Sequence, residues 1–104
     1  MADEVCLVEV VARPGAQIVR VTGELDAAMA DELYRAIAAA QASSAPVVVD
    51  LTACRFVDSS AMGVLVRSAT AGPRLSVLGA SGQVLRALEL TGVGAHPGID
   101  ILPD

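Results

Sequence analysis

The stretch VVVDLTACRFVDSSAMGVLV, residues 47–66, decides how the rest of the chain is interpreted. It begins with VVVDL, a near-continuous apolar run that is typical of a strand covered on both faces. Three polar residues, Asp58, Ser59 and Ser60, then precede the apolar run of a predicted helix that extends to about Thr70. A helix start explains one capping side chain, so the second hydroxyl needs another explanation.

The sequence on either side alternates strand and helix patterns. EVCLVEVVA and AQIVRVTG are joined by the turn signal Arg13-Pro14-Gly15, which predicts an antiparallel hairpin. A helix is predicted from Ala27 to about Gln41, a strand in RLSVLG, a short helix from Ser81 to a C-cap at Gly92, and a last strand in GIDILPD. This order predicts a single α/β domain over residues 1–104, with one mixed sheet of four to five strands. The opening hairpin is antiparallel, the later strands are parallel, and about three helices pack on the sheet.

Composition and charge exclude several classes of function. A chain of 104 residues with a net charge of -5 lacks the basic surface that nucleic acid requires. No apolar run approaches the roughly 18 residues of a membrane span. The N-terminal segment MADEVCLVEV has no basic stretch before its apolar residues, so we do not expect it to act as a secretory signal. We therefore expect a cytoplasmic protein that binds neither nucleic acid nor membrane.

The chain shows no familiar catalytic or cofactor-binding motif. GxSxG, Walker A, GxGxxG and HExxH are all missing from the sequence. Cys6 and Cys54 are far apart and lack CxxC spacing, so we interpret them as small packing residues rather than a disulfide or a metal site. His96 lies alone in a turn and is expected to be solvated. The sequence predicts a protein that is not an enzyme and needs no metal or cofactor.

Helix geometry predicts a different orientation or role for each of the three polar residues before the apolar run. At 100° per residue, the predicted inward face of this helix is formed by Met62, Leu65, Val66 and Ala69. Ser60 then points away from the core, on the same side as Val64 and Arg67, while Ser59 points to the flank. Asp58 is the natural N-cap. An exposed hydroxyl beside an apolar patch suggests a regulated binding surface.

Asp26 is a second candidate residue. It is well placed as the N-cap of the first helix, and that structural role alone would account for it. The first and second helices both begin at the carboxyl ends of their preceding strands, however. We therefore expect Asp26 and Ser60 at the same edge of the sheet, where such folds place their sites.

Three segments in order resemble the STAS domain, the family of anti-sigma factor antagonists. They are VTGELDAAMADEL, VVVDLTACRFVDSSAMGVLV and LSVLGASGQVLRALELTGV, and the resemblance spans residues 5–102. Its most specific part is the strand-Asp-Ser-Ser-helix junction, supported by Gly23-Glu24-Leu25-Asp26 and Leu90-Thr91-Gly92. Ala61-Met62 stands where the common form has Gly-Leu. Many members continue into a C-terminal helix beyond the last strand, so we expect one surface of this sheet to be less covered.

The resemblance implies a mechanism of partner switching. The unmodified protein is expected to bind an anti-sigma factor with an ATP-binding serine kinase fold, which frees a sigma factor. Phosphorylation of Ser60, or alternatively Ser59, separates the complex, and a PP2C-type phosphatase resets it. The free protein is expected to be a monomer. The residues expected to contact the partner are Asp26, Asp58, Ser59, Ala61, Met62, Val64 and Arg67.

A second function fits the same family. In a non-switching STAS module, the domain is a structural subunit of a larger transport or stress-signalling complex, and Ser60 is contact surface only.

Overall fold

Two long paired strands form the centre of the sheet in the computed structural model, which describes residues 6–102. Strand β2 (Ala16–Leu25) is parallel to β3 (Val47–Val57) and antiparallel to β1 (Leu7–Arg13). Strands β4 (Leu75–Leu78) and β5 (Ile99–Ile101) follow in parallel, giving the order β1-β2-β3-β4-β5. The predicted mixed sheet with an antiparallel opening hairpin is confirmed. Residues 4 and 5 of the predicted first strand lie outside the described residues.

Three α-helices connect the parallel strands. They are α1 (Ala30–Gln41), α2 (Ser59–Ala71) and α3 (Gly82–Leu90), with short 3-10 turns at Ala27–Met29 and Val93–Ala95. Crossovers between parallel strands are right-handed, and all three step in the same direction across the sheet, so they place the helices on one face. The helix predicted from Ala27 thus begins with a 3-10 turn. None of the helices within residues 6–102 is long and apolar enough to cross a membrane.

The core lies between the sheet and these helices. On α1, Leu33, Ile37 and Ala40 are buried at the spacing that the sequence pattern predicted. The largest fully buried side chains include Leu25, Leu33, Ile37, Leu51, Leu65, Leu75 and Leu88.

The burial of β3 differs from that expected for VVVDL, which was predicted to be covered on both faces. Val47 and Val49 are buried beneath the helices, whereas Val48 and Asp50 on the opposite face are only partly buried. The Asp50 carboxylate lies 3.6 Å from the guanidinium of Arg20 on that face. The strand is therefore covered on one face and not on both, and valine suits such a half-buried surface as well as a fully buried one. The strand extends beyond VVVDL to Val57.

Two glycines fix the chain reversals that frame α3. Gly79 has φ +79, and a Cβ there would lie 2.9 Å from the Thr52 Cα, so only glycine fits where β4 ends. Gly92 has φ +74 and donates its N–H to the Glu89 carbonyl at 3.2 Å. This left-handed residue ends α3 as the sequence predicted.

His96 is not the solvated loop residue that its sequence context indicates. It is half-buried, and its Nδ1 accepts the Gly98 N–H at 2.9 Å. Nε2 therefore carries the proton of the neutral ring and lies 3.1 Å from the Thr70 hydroxyl oxygen. The Thr70 hydroxyl donates in turn to the Val66 carbonyl at 2.8 Å. His96 thus ties the end of α2 to the segment before β5.

Candidate functional site

The ends of β2 and β3 bring two aspartates to one edge of the sheet. Leu25 pairs with Val57, and the Asp58 N–H donates to the Leu25 carbonyl at 3.1 Å. Asp26 and Asp58 therefore follow directly on adjacent strands. They lie at the carboxyl edge of the parallel strands, where folds of this class place their sites.

Each aspartate caps the turn that it begins. The Asp58 backbone is extended, and its Oδ1 accepts the Ala61 N–H at 3.1 Å, which makes it the N-cap of α2. Asp26 is exposed, and its Oδ1 accepts the Ala28 N–H at 3.1 Å. Among the described residues, neither carboxylate has a paired cation, so both present negative charge at this edge.

The two serines lie in the first turn of α2, and both are exposed. Asp58 already supplies the side-chain cap, and within residues 6–102 neither serine hydroxyl makes a hydrogen bond. Ser59 is thus not a cap. Both hydroxyls are available to a partner or to a modifying enzyme.

The inward face of α2 differs from the predicted one. Its buried residues are Ala61, Met62, Val64, Leu65, Ser68 and Ala69. The predicted exposure of Val64 is wrong, since its exposed fraction is 0%. Because α2 packs against α1 and also against β5 and the 3-10 turn at Val93–Ala95, its buried arc is wider than the four predicted positions. The helical phase therefore does not identify Ser60, rather than Ser59, as the serine that points away from the core.

This burial also changes the expected contact residues. Ala61 and Val64 are fully buried, and Met62 is 7% exposed. The side chains of Ala61 and Val64 therefore offer no surface to a docking partner, and that of Met62 offers little. They support the surface from beneath instead.

The exposed residues of α2 near its start define a narrow surface, here named the outer face of α2: Ser59, Ser60, Gly63 and Arg67. The Arg67 guanidinium carbon lies 5.1 Å from the centre of the Tyr34 ring, so the side chain is stacked on α1. A Cβ added to Gly63 would meet nothing within 4 Å. The sequence analysis missed Gly63, although a glycine inside a predicted helix was a visible signal.

The two flanks of the outer face differ. Ser60 lies two helical turns before Arg67, toward α1. Met62 lies toward α3, with its sulfur 3.2 Å from the Thr91 hydroxyl oxygen. Leu90, next to Thr91, has an exposed fraction of 76%. A large apolar side chain thus lies in the segment beside the first turns of α2.

The chemistry available here suits binding. Residues 6–102 contain no cluster of three potential metal ligands and enclose no pocket. Burial raises the pKa of the Cys54 thiol, and burial followed by the proximity of Cys54 raises that of Cys6. Both thiols are therefore protonated and poorly nucleophilic at neutral pH. The candidate site is an exposed surface with hydroxyls and carboxylates.

Comparison with known proteins identifies the family. The family model described as "Mlab, STAS domain" matches residues 8–103, so the chain belongs to the STAS-domain family. A search of curated protein sequences finds no match to the chain. The resemblance inferred from the sequence is confirmed.

Solved structures with the same fold include anti-sigma factor antagonists. The antagonist from Mycobacterium paratuberculosis is 27% identical with a TM-score of 0.82, and the match covers 95% of this chain and 88% of that one. Unphosphorylated SpoIIAA, an anti-sigma factor antagonist, is 25% identical with a TM-score of 0.67, covering 96% and 90%. The phosphorylated form of Bacillus SpoIIAA is 23% identical with a TM-score of 0.60, covering 96% and 93%.

Proposed function

We propose that this chain is an anti-sigma factor antagonist that works by phosphorylation-controlled partner switching. The unmodified form binds an anti-sigma factor with an ATP-binding serine kinase fold and so frees a sigma factor. Phosphorylation at Ser60, with Ser59 as the alternative, releases the partner, and a PP2C-type phosphatase restores binding. One observation carries the proposal: an exposed serine pair starts α2, in a chain similar to anti-sigma factor antagonists of which one is known in a phosphorylated form.

A phosphate at the start of α2 should cost the free domain little stability. A phosphoserine carries about -1.5 to -2 charges, and the first-turn amides of a helix favour negative charge. In an interface, the same group loses its water beside Asp26 and Asp58. Leaving such a charge buried and unpaired costs several kcal/mol, and about 5.5 kcal/mol moves a complex from 99% bound to 99% free. The switch therefore needs no refolding of the domain.

Matched alanine variants of the two serines identify which one accepts the phosphate. The choice of Ser60 as the phosphate acceptor rests on the family resemblance, because Ser59 is exposed as well. We expect phosphate on Ser60 when the chain is incubated with its kinase and ATP, no phosphate on Ser60→Ala, and normal labelling of Ser59→Ala. Mass spectrometry of the tryptic peptide that holds both serines measures this. Phosphate on Ser59 would assign the switch to the first serine, and none on either would favour the non-switching module.

Gly63 supports a close contact between the partner and the backbone of α2. Glycine inside a helix costs about 0.5–1 kcal/mol relative to alanine, and no neighbour in the described chain needs the space. We expect Gly63→Ala to raise the melting temperature yet weaken partner binding by about tenfold or more, because the methyl group would overpack the contact. Thermal melts and titration calorimetry measure the two effects. Ala38→Ser, at an exposed position of α1, is the control: it should leave partner binding unchanged and lower the melting temperature slightly, because serine favours a helix less than alanine does.

Asp26 tests the role of charge at the sheet edge. Asparagine remains a good N-cap, so Asp26→Asn should alter stability by only a few tenths of a kcal/mol. Losing the charge should weaken partner binding by about 1 kcal/mol, because hydrogen bonds to charged groups are stronger than neutral ones. Binding and phosphorylation rates equal to those of the wild type would leave Asp26 as a cap only.

A further inference from the structure

Strand β1 forms an open edge of the sheet. All seven of its residues pair with β2, and no other strand among residues 6–102 pairs with its outer edge. Leu7 and Val10 are 50% and 44% exposed, which places both among the exposed large apolar residues. Natural proteins commonly protect such edges with proline, lysine or a covering segment, and LVEVVAR has neither proline nor lysine.

The turn after β1 determines which backbone groups reach the open edge. Arg13 pairs with Ala16 across a two-residue turn, and Pro14 has no N–H, so this closing pair exchanges both backbone hydrogen bonds. The pairing continues without a shift along the strand. The residues bonded to β2 are therefore Leu7, Glu9, Val11 and Arg13. The residues that direct their N–H and C=O groups to the open edge are Val8, Val10 and Ala12.

We propose that this edge pairs with β1 of a second copy of the chain. The two strands run antiparallel, with the two-fold axis at Val11. Glu9 of each copy then lies opposite Arg13 of the other, and Val11 lies opposite its own counterpart. Opposite charges directly across two strands are favourable, whereas a register centred on Glu9 would place like charges together. The strand is thus self-complementary, as a two-fold interface requires.

The helix above this edge leaves room for the second copy. Helix α1 packs on β1 and β2, and its Tyr34 side faces α2. By helical phase, Glu32 lies on the flank away from Tyr34, near Cys6 at the start of β1, and further along the same flank are Ala36 and Ala39. These small side chains allow a neighbouring sheet to approach Val10 from the helix-covered side.

The proposed dimer is separate from the outer face of α2. The outer face of α2 begins at the end of β3, the central strand, so both copies keep their serines exposed. The inference does not depend on the partner-switching function. It differs from the monomer expected from the sequence.

Sedimentation equilibrium over a range of concentrations tests the dimer. The wild type should approach twice its mass of 10.5 kDa. Glu9→Arg and Arg13→Glu should each weaken association by about tenfold or more, because each places like charges across the axis. The double variant restores opposite charges and should regain wild-type association. Val10→Pro should also be monomeric, since it removes an edge N–H that β2 does not use.

Each outcome is decisive. A wild type that stays monomeric up to its solubility limit overturns the proposal. So does a dimer that both single variants leave unchanged, because it would then form through another surface. Failure of the double variant to regain association would overturn the register. Circular dichroism melts check that the charge variants are folded.

Discussion

Ser60→Asp is expected to bind the anti-sigma factor about 1–3 kcal/mol more weakly than the wild type, a loss of roughly 5- to 150-fold. The side chain is exposed on the outer face of α2, so an interface there removes water from any charge placed on it. Ser60→Ala should bind as the wild type does, because a small side chain preserves the contact surface. Calorimetric titration with the purified anti-sigma factor measures both affinities.

Ser59 provides the matched comparison for this result. Ser59→Ala and Ser59→Asp change the neighbouring exposed hydroxyl by the same chemistry. If Ser60 is the switch, Ser59→Asp should weaken binding less than Ser60→Asp. All four variants should melt close to the wild type, since an acidic residue in the first turn of a helix is favourable. Equal binding by Ser60→Asp and the wild type would contradict the desolvation mechanism.

Val64→Asp is expected to destabilise the domain by about 3–5 kcal/mol. Val64 is fully buried on α2, so the carboxylate would lose its water without gaining a partner. A domain of this size is stable by only about 5–15 kcal/mol, so the variant should be largely unfolded or melt far below the wild type. Thermal melts followed by circular dichroism measure the change.

Arg67→Asp is the control on the same helix. It introduces the same carboxylate one turn further along, at an exposed position, and loses the contact with Tyr34 and the higher helix propensity of arginine. That contact contributes about 0.5–1 kcal/mol at an exposed site. If Val64→Asp instead melted like the wild type, the side chain would be exposed as the sequence pattern predicted, and the orientation of α2 would be wrong.

Most of the fold was predictable because its signals are local. Pro14 and Gly15 between two alternating runs determine the hairpin, and Gly92 determines the end of α3. The parallel direction of the later strands followed from single-helix crossovers. The one-sided cover of β3 was not predictable, because the run VVVDL suits a strand covered on one face as well as one covered on both.

The N-cap that begins the candidate site was predictable from the sequence. The buried face of α2 beneath the site was not. Asp58 follows a strand and precedes a helix, which is enough to predict an N-cap. The phase of α2 was chosen from its larger apolar residues, which favoured Val66. In the structure Val66 lies on the edge of the buried arc, while the small residues Ala61 and Ser68 lie within it. Close packing against α1 selects small side chains there, and a pattern based on size cannot detect it.

The central claim is that phosphorylation of the serine pair releases the partner, and ATP-dependent release tests it directly. The immobilised chain is loaded with the purified anti-sigma factor kinase, Mg²⁺ and ATP are added, and retained partner and phosphate are measured over time. We predict that the wild type releases the partner as phosphate accumulates, while the variant with alanine at both Ser59 and Ser60 retains it. A wild type that keeps its partner without acquiring phosphate, or release that is equal in the two proteins, would contradict the switch.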